Sequence, residues 1–121
     1  MSNVHKYGLL AVKALLTLAF VAAGAAKLIG AEMMVATFEA IGWGQWFRYV
    51  TGVIEVGAAI LLWVPGRQAI GAFLLTATMI AAVGFHLLVL GPSAVPAAVL
   101  GLLSALVLYA HRGQLRGAVP A

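Results

Sequence analysis

Four side chains in an otherwise apolar sequence have types and spacing that could do chemistry: Lys27, Arg48, Glu55 and His86. Glu55 stands inside "TGVIEVGAAILLWVP", a run that is apolar nearly end to end. An ionised side chain near the centre of a bilayer costs at least about 2.5–3.5 kcal/mol on insertion scales, so a carboxylate kept there needs compensation. It can pair with Lys27 or Arg48, or it can stay protonated. A paired Glu55 would either fix how two helices pack or form a polar ligand site. In a ligand site Glu55 would supply a proton site, and Lys27 or Arg48 would hold an anionic oxygen. His86, a lone histidine near a helix end, reads either as a hydrogen-bonded interface residue or as a ligand or proton-relay group.

The composition says what must position these groups. Of 121 residues, 64% are hydrophobic and 8% charged, against about 45–50% and about 25% in soluble domains. So short a soluble globule would have too much surface for so few charges. One domain over residues 1–121 is expected, all-α and embedded in a membrane. Four apolar stretches, about 7–30, 47–64, 68–90 and 94–111, are each near the roughly 20 residues that cross a bilayer as a helix. Polar–apolar alternation is missing, which argues against a β-barrel. The first stretch resembles a signal peptide in its basic start and its "AAGAA", but its apolar run continues through Leu28 and Ile29 and reads as a retained span. The chain thus reads as an antiparallel four-transmembrane-helix bundle with short connections.

Helical spacing then collects the polar residues. Arg48, Thr51, Gly52, Glu55 and Ala59 fall at steps of three or four and share one face. Small residues beside Glu55, and Gly24 in the first span, let another helix approach closely. Lys13, Thr17, Phe20, Gly24 and Lys27 form the stripe of the first span, with Lys13 expected to snorkel outward. Lys27, Arg48, Glu55 and His86 then meet in one half of the membrane. The segment at about 32–41 repeats Met34, Phe38 and Ile41 at helical spacing, with Glu32 and Glu39 elsewhere. It reads as a short amphipathic helix lying at the interface, ended by Gly42. Trp43, Trp46, Phe47 and Tyr49 follow it as interfacial anchors or as walls of a ligand pocket. "GPS" at 91–93 makes a turn in which Ser93 would cap the fourth helix, with Pro96 in its first turn.

Sidedness follows from the basic residues. Lys6, Lys13, Arg67, Arg112 and Arg116 gather with both termini, which the positive-inside rule places in the cytoplasm, in a cytoplasmic (inner) membrane. The formal charge of +4 is therefore a topology signal. Scattered basic residues do not suggest a nucleic-acid partner; the bilayer is the expected one. Without cysteine there are no disulfides, thiol redox chemistry or cysteine-bound metal. Neither a three-ligand metal cluster nor a phosphate loop or nucleophile elbow is found. His5 and His111 fall at the other face from His86, so no histidine pair at one depth is offered to haem.

"FVAAGAAKLIG" (20–30), "FEAIGWGQWFRYVTGVIEVGAAILLWVP" (38–65) and "AIGAFLLTATMIAAVGFHLL" (69–88) together resemble the DoxX-like family of small four-helix membrane proteins. G-x-x-K in the first helix and T-G-x-x-E in the second carry the specific part, matching Gly24, Lys27, Gly52 and Glu55. The resemblance implies an accessory or membrane subunit of a redox system, such as thiosulfate:quinone oxidoreductase. Other members are associated with detoxification complexes, and distant relatives act as receptor chaperones or cargo receptors. The reading it favours is a redox-associated subunit, not necessarily catalytic, that binds a small polar or quinone-like ligand at the Lys/Glu site. A redox protein or a second copy of the chain would be its partner. The alternatives are an assembly factor or scaffold for other membrane proteins and, third, a small-molecule carrier.

Overall fold

Gly42 takes a left-handed conformation, φ 83°, that ends a short helix and turns its N–H onto the Phe38 carbonyl, the usual use of a glycine at a helix end. Punctuation of this kind divides the chain. The computed structural model describes residues 3–91 and 93–117. Among them the secondary structure is entirely helical: α1 (Asn3–Ile29), α2 (Glu32–Ile41), α3 (Trp46–Leu61), α4 (Gln68–Phe85), a π-helical turn (His86–Leu90), α5 (Val95–Ala110) and α6 (Gly113–Gly117). Ser93 Oγ accepts the Val95 N–H at 3.1 Å and Pro96 lies in the first turn of α5. Pro92, in the same connection, lies outside the described residues, as does the side chain of Arg116.

The four longer helices pack as a ring, α1 on α3, α3 on α4, α4 on α5 and α5 on α1. Neighbours run antiparallel. Thr17 on α1 meets Trp63 just beyond α3, whereas Gly24 meets Gly52 near the other end. The sequence stripes face inward: Lys13, Leu16, Phe20 and Gly24 on α1, and Arg48, Gly52, Glu55, Ala58 and Ala59 on α3, are buried. The densest packing joins Leu16, Phe20, Ala58, Ala59, Leu62, Ala72, Leu75 and Val107. These residues occupy the half of the bundle nearer the α3–α4 turn. The other half, roofed by α2, is where α3 and α4 diverge around a cavity.

Leu18, Val53, Phe73 and Leu102, from the four longer helices, are each more than half exposed. Such an apolar belt is unusual for a soluble monomer and suits a lipid-facing surface. Two helices, α1 and α4 with its π-helical turn (Gln68–Leu90), are long and apolar enough to cross a membrane. α3 and α5, expected at nearly 20 residues, have 16 each, a rise of about 24 Å. They are shorter because residues 62–67 wind into the α3–α4 turn and α5 starts only after Ala94. Lys13 departs from expectation as well. Instead of reaching outward it is 7% exposed, with its ammonium 5.0 Å from the centre of the Trp63 ring.

Small residues set the helix spacing. A Cβ on Gly71 would lie 2.6 Å from the Ala58 carbonyl oxygen, a backbone atom that cannot swing away. One on Gly57, by contrast, meets nothing within 4 Å. Gly71→Ala is therefore expected to destabilise the protein by about 1–3 kcal/mol, and Gly57→Ala to be neutral or stabilising by up to about 1 kcal/mol. Unfolding both variants in detergent checks this; equal stabilities would mean that α3 and α4 are not held at contact distance.

Candidate functional site

Gly24 and Gly52 bring α1 and α3 together one helical turn from Lys27 and Glu55. At that spacing Lys27 Nζ reaches Glu55 Oε1 at 2.8 Å. The carboxylate is 2% exposed and the lysine side chain 13%. No second polar group bonds to Glu55 Oε1, so the ammonium is its sole counterpart among the described residues. An ammonium has three N–H donors, and one carboxylate oxygen leaves it with capacity for another acceptor.

The pair borders a cavity of about 630 Å³ between α2, α3, α4 and the π-helical turn, within the range of about 300–1,000 Å³ usual for small-molecule sites. Met34, Phe38 and Ile41, the apolar stripe of α2, form its roof. Phe47 and Ile54 of α3 and Leu74, Met79 and Phe85 of α4 form apolar walls. Thr37, Thr51 and Thr78 also line it, and each donates its hydroxyl to the carbonyl four residues earlier at 2.7–2.8 Å. Their oxygens can still accept a hydrogen bond. His86 completes the lining where the helix widens; the Gly91 N–H reaches back five residues to its carbonyl at 3.0 Å. His86 Nδ1 is buried without a hydrogen-bond partner. π-helical turns occur frequently at functional sites.

Lys27, Glu55 and His86 thus line one cavity, as their shared depth predicts. Arg48 does not join them. Its guanidinium donates to the Lys27 backbone carbonyl and, at 2.7 Å, to Gln45 Oε1. It lies beneath Gly30, where a Cβ would sit 3.4 Å from Nη1, and over the Tyr49 ring. The Lys27 carbonyl already takes the Gly30 N–H at 3.3 Å, so the cation adds a second donor there and meets the negative end of the helix dipole. Arg48 is a helix cap, not a wall of the cavity. Gln45, which the sequence reading passed over, links this cap to the roof by donating to the Val35 carbonyl at 3.0 Å. The aromatic segment divides between its two readings. Phe47 lines the cavity and meets Phe38, Trp43, Trp46 and Phe85 edge-on or tilted at centroid distances of 5.0–6.0 Å, while Trp43, Trp46 and Tyr49 are at least half exposed.

Among known protein families, the model described as the DoxX-like family matches residues 11–108, a range that includes Lys27, Glu55, His86 and the whole cavity lining. No curated protein and no solved structure shows a significant match.

Removing one member of a buried ion pair costs about 3–5 kcal/mol, whereas replacing both by apolar groups is often neutral. Lys27→Met is accordingly expected to destabilise strongly, and Lys27→Met combined with Glu55→Leu to recover most of the loss. Thermal unfolding of the two variants in detergent reads the difference. A double variant as unstable as the single one would show that the two groups act separately.

Proposed function

The chain belongs to the DoxX-like family, and we propose that it is a four-span integral membrane protein that binds a small quinone-like molecule as a non-catalytic subunit of a redox system. Membership supports a membrane protein of this family, and the apolar belt around all four longer helices supports a lipid-facing surface on each. The basic residues at the end carrying the α3–α4 turn support an orientation with both termini in the cytoplasm. The cavity then opens in the outer leaflet of a cytoplasmic membrane.

One observation carries the ligand reading: a largely apolar cavity of suitable size whose polar lining is the Lys27–Glu55 pair, three threonines and His86. The ring of a quinone fills the space between the α2 roof and the phenylalanines. One of its carbonyl oxygens accepts from Lys27, whose charge Glu55 balances. His86 Nδ1 accepts from a quinol hydroxyl in one tautomer and donates to a quinone carbonyl in the other. Glu55 is the proton site nearest the bound oxygen. Arg48 has no part in contacting the ligand, since capping α1 occupies it.

The test is saturable binding of a short-chain quinone by purified protein in nanodiscs, measured by calorimetry. Ala82→Phe, which adds a ring at the cavity wall, is expected to weaken binding at least about tenfold, the equivalent of about 1.4 kcal/mol. Glu55→Gln is expected to weaken it less but to remove its pH dependence. Gly57→Ala, away from the cavity, should bind like the native chain. A native chain that binds no quinone but co-purifies with a stable protein partner would overturn this reading in favour of an assembly factor.

A further inference from the structure

Beside the cavity that Lys27 and Glu55 border lies a second hollow, of about 310 Å³. Trp43 and Phe47, from the start of α3 and the connection before it, line it together with Ala81, Gly84, Phe85 and Leu88, from α4 and its π-helical turn. Apart from the Trp43 indole, these side chains are entirely hydrocarbon. Trp43 is 57% exposed and Leu88 86%, so the hollow is a groove on the surface of the bundle and not an interior void. A Cβ on Gly84 would meet nothing within 4 Å, so no neighbouring helix closes the groove at that point.

Groove and cavity adjoin, because Phe47, Ala81 and Phe85 line both. The Phe47 and Phe85 rings meet edge-on at this border, 6.0 Å between centroids, and Trp43 packs against them at 5.0 and 5.3 Å. Ala81, itself exposed, contributes only a methyl group to the border. Lys27, Glu55 and His86 all lie on the cavity side, and none of them lines the groove. Polar chemistry on one side of a ring border and hydrocarbon on the other match a ligand with a polar head and an apolar tail.

Building on the reading of the cavity as a quinone site, we propose that the groove binds the hydrocarbon tail of that quinone. The ring lies inside Phe47 and Phe85, and the chain passes over Ala81 and Gly84 to the lipid. Leaving the bilayer for the groove brings the chain little hydrophobic gain, since lipid tails are equally apolar. What the groove adds is close packing against aromatic rings and a fixed exit, which turns the head toward Lys27. An acyl chain of a bilayer lipid packs against the same surface, but only a chain joined to the ring couples groove to cavity.

The full chain in nanodiscs is titrated by calorimetry with a benzoquinone lacking a side chain and with the same ring carrying a decyl chain. Each affinity is referred to the quinone dissolved in the membrane, which removes the difference in partitioning. The decyl compound is expected to bind about tenfold more tightly, the gain of a few well-packed chain atoms. Gly84→Phe, which puts a ring into the groove, is expected to abolish that advantage while leaving the tailless compound within about twofold. Gly57→Phe adds the same ring where a Cβ also meets nothing, away from the groove, and should preserve the advantage. Should Gly84→Phe fail to fold, Leu88→Trp, at an exposed position, narrows the same groove and should show the same selective loss. Equal affinities for the two quinones, or an advantage that survives Gly84→Phe, overturn the tail site and leave the quinone site of the cavity standing; the groove then holds bilayer lipid. An equal loss of both quinones in Gly84→Phe also overturns it, because groove and cavity would then be a single site. Binding of neither quinone overturns the tail site and the quinone site together.

Discussion

Two oppositely charged groups held 2.8 Å apart among apolar helices constrain the rest of this structure. Taking each ion out of water costs several kcal/mol, and their attraction roughly repays it only when the geometry is good. The pair is therefore not where net stability comes from. It sets a condition: α1 and α3 must approach closely, in one register. Gly24 and Gly52 meet that condition because a Cβ at either would come within 3.0 Å of the facing helix. The Arg48 cap joins the same two helices at the end of α1. Packing of small residues supplies the cohesion, and the charges select which packing is allowed.

The molecule is consequently uneven along its length. Near the α3–α4 turn, Leu16, Phe20, Leu62 and Leu75 fill the space between helices. Toward α2 the same helices leave room, and the roof is a ten-residue helix with few contacts of its own. Gln45 holds that roof by one hydrogen bond to Val35, and Phe38 by an edge-on contact with Phe47. One half of the bundle is filled and the other keeps a cavity. The Lys27–Glu55 pair and His86 border the open half, while Lys13 and Ser104 are buried in the filled one.

Much of this was legible in the sequence because it depends on periodicity. The faces carrying Lys27 and Glu55 follow from steps of three and four residues, and α2 (Glu32–Ile41) announces itself by Met34, Phe38, Ile41 and the glycine after them. What could not be read depends on side-chain reach and local winding. Arg48 shares a face with Glu55, yet its longer side chain finds the backbone carbonyl of Lys27, and periodicity does not rank competing acceptors. Lys13 could extend outward or fold beneath an indole fifty positions away in sequence, and only the assembled bundle decides. The 16-residue lengths of α3 and α5 reflect where turns begin, which hydropathy blurs. No residue preference marked the change from α to π winding at His86.

That change of winding has a consequence for how relatives should be compared. A π-helical turn contains about one residue more than the α-helical turn it replaces. A homologue lacking one position between Phe85 and Gly91 would wind regularly there and still deliver its chain to the following helix. The side chain standing in for His86 would then be shifted by one place, so an ungapped alignment through this segment would equate residues that point in different directions.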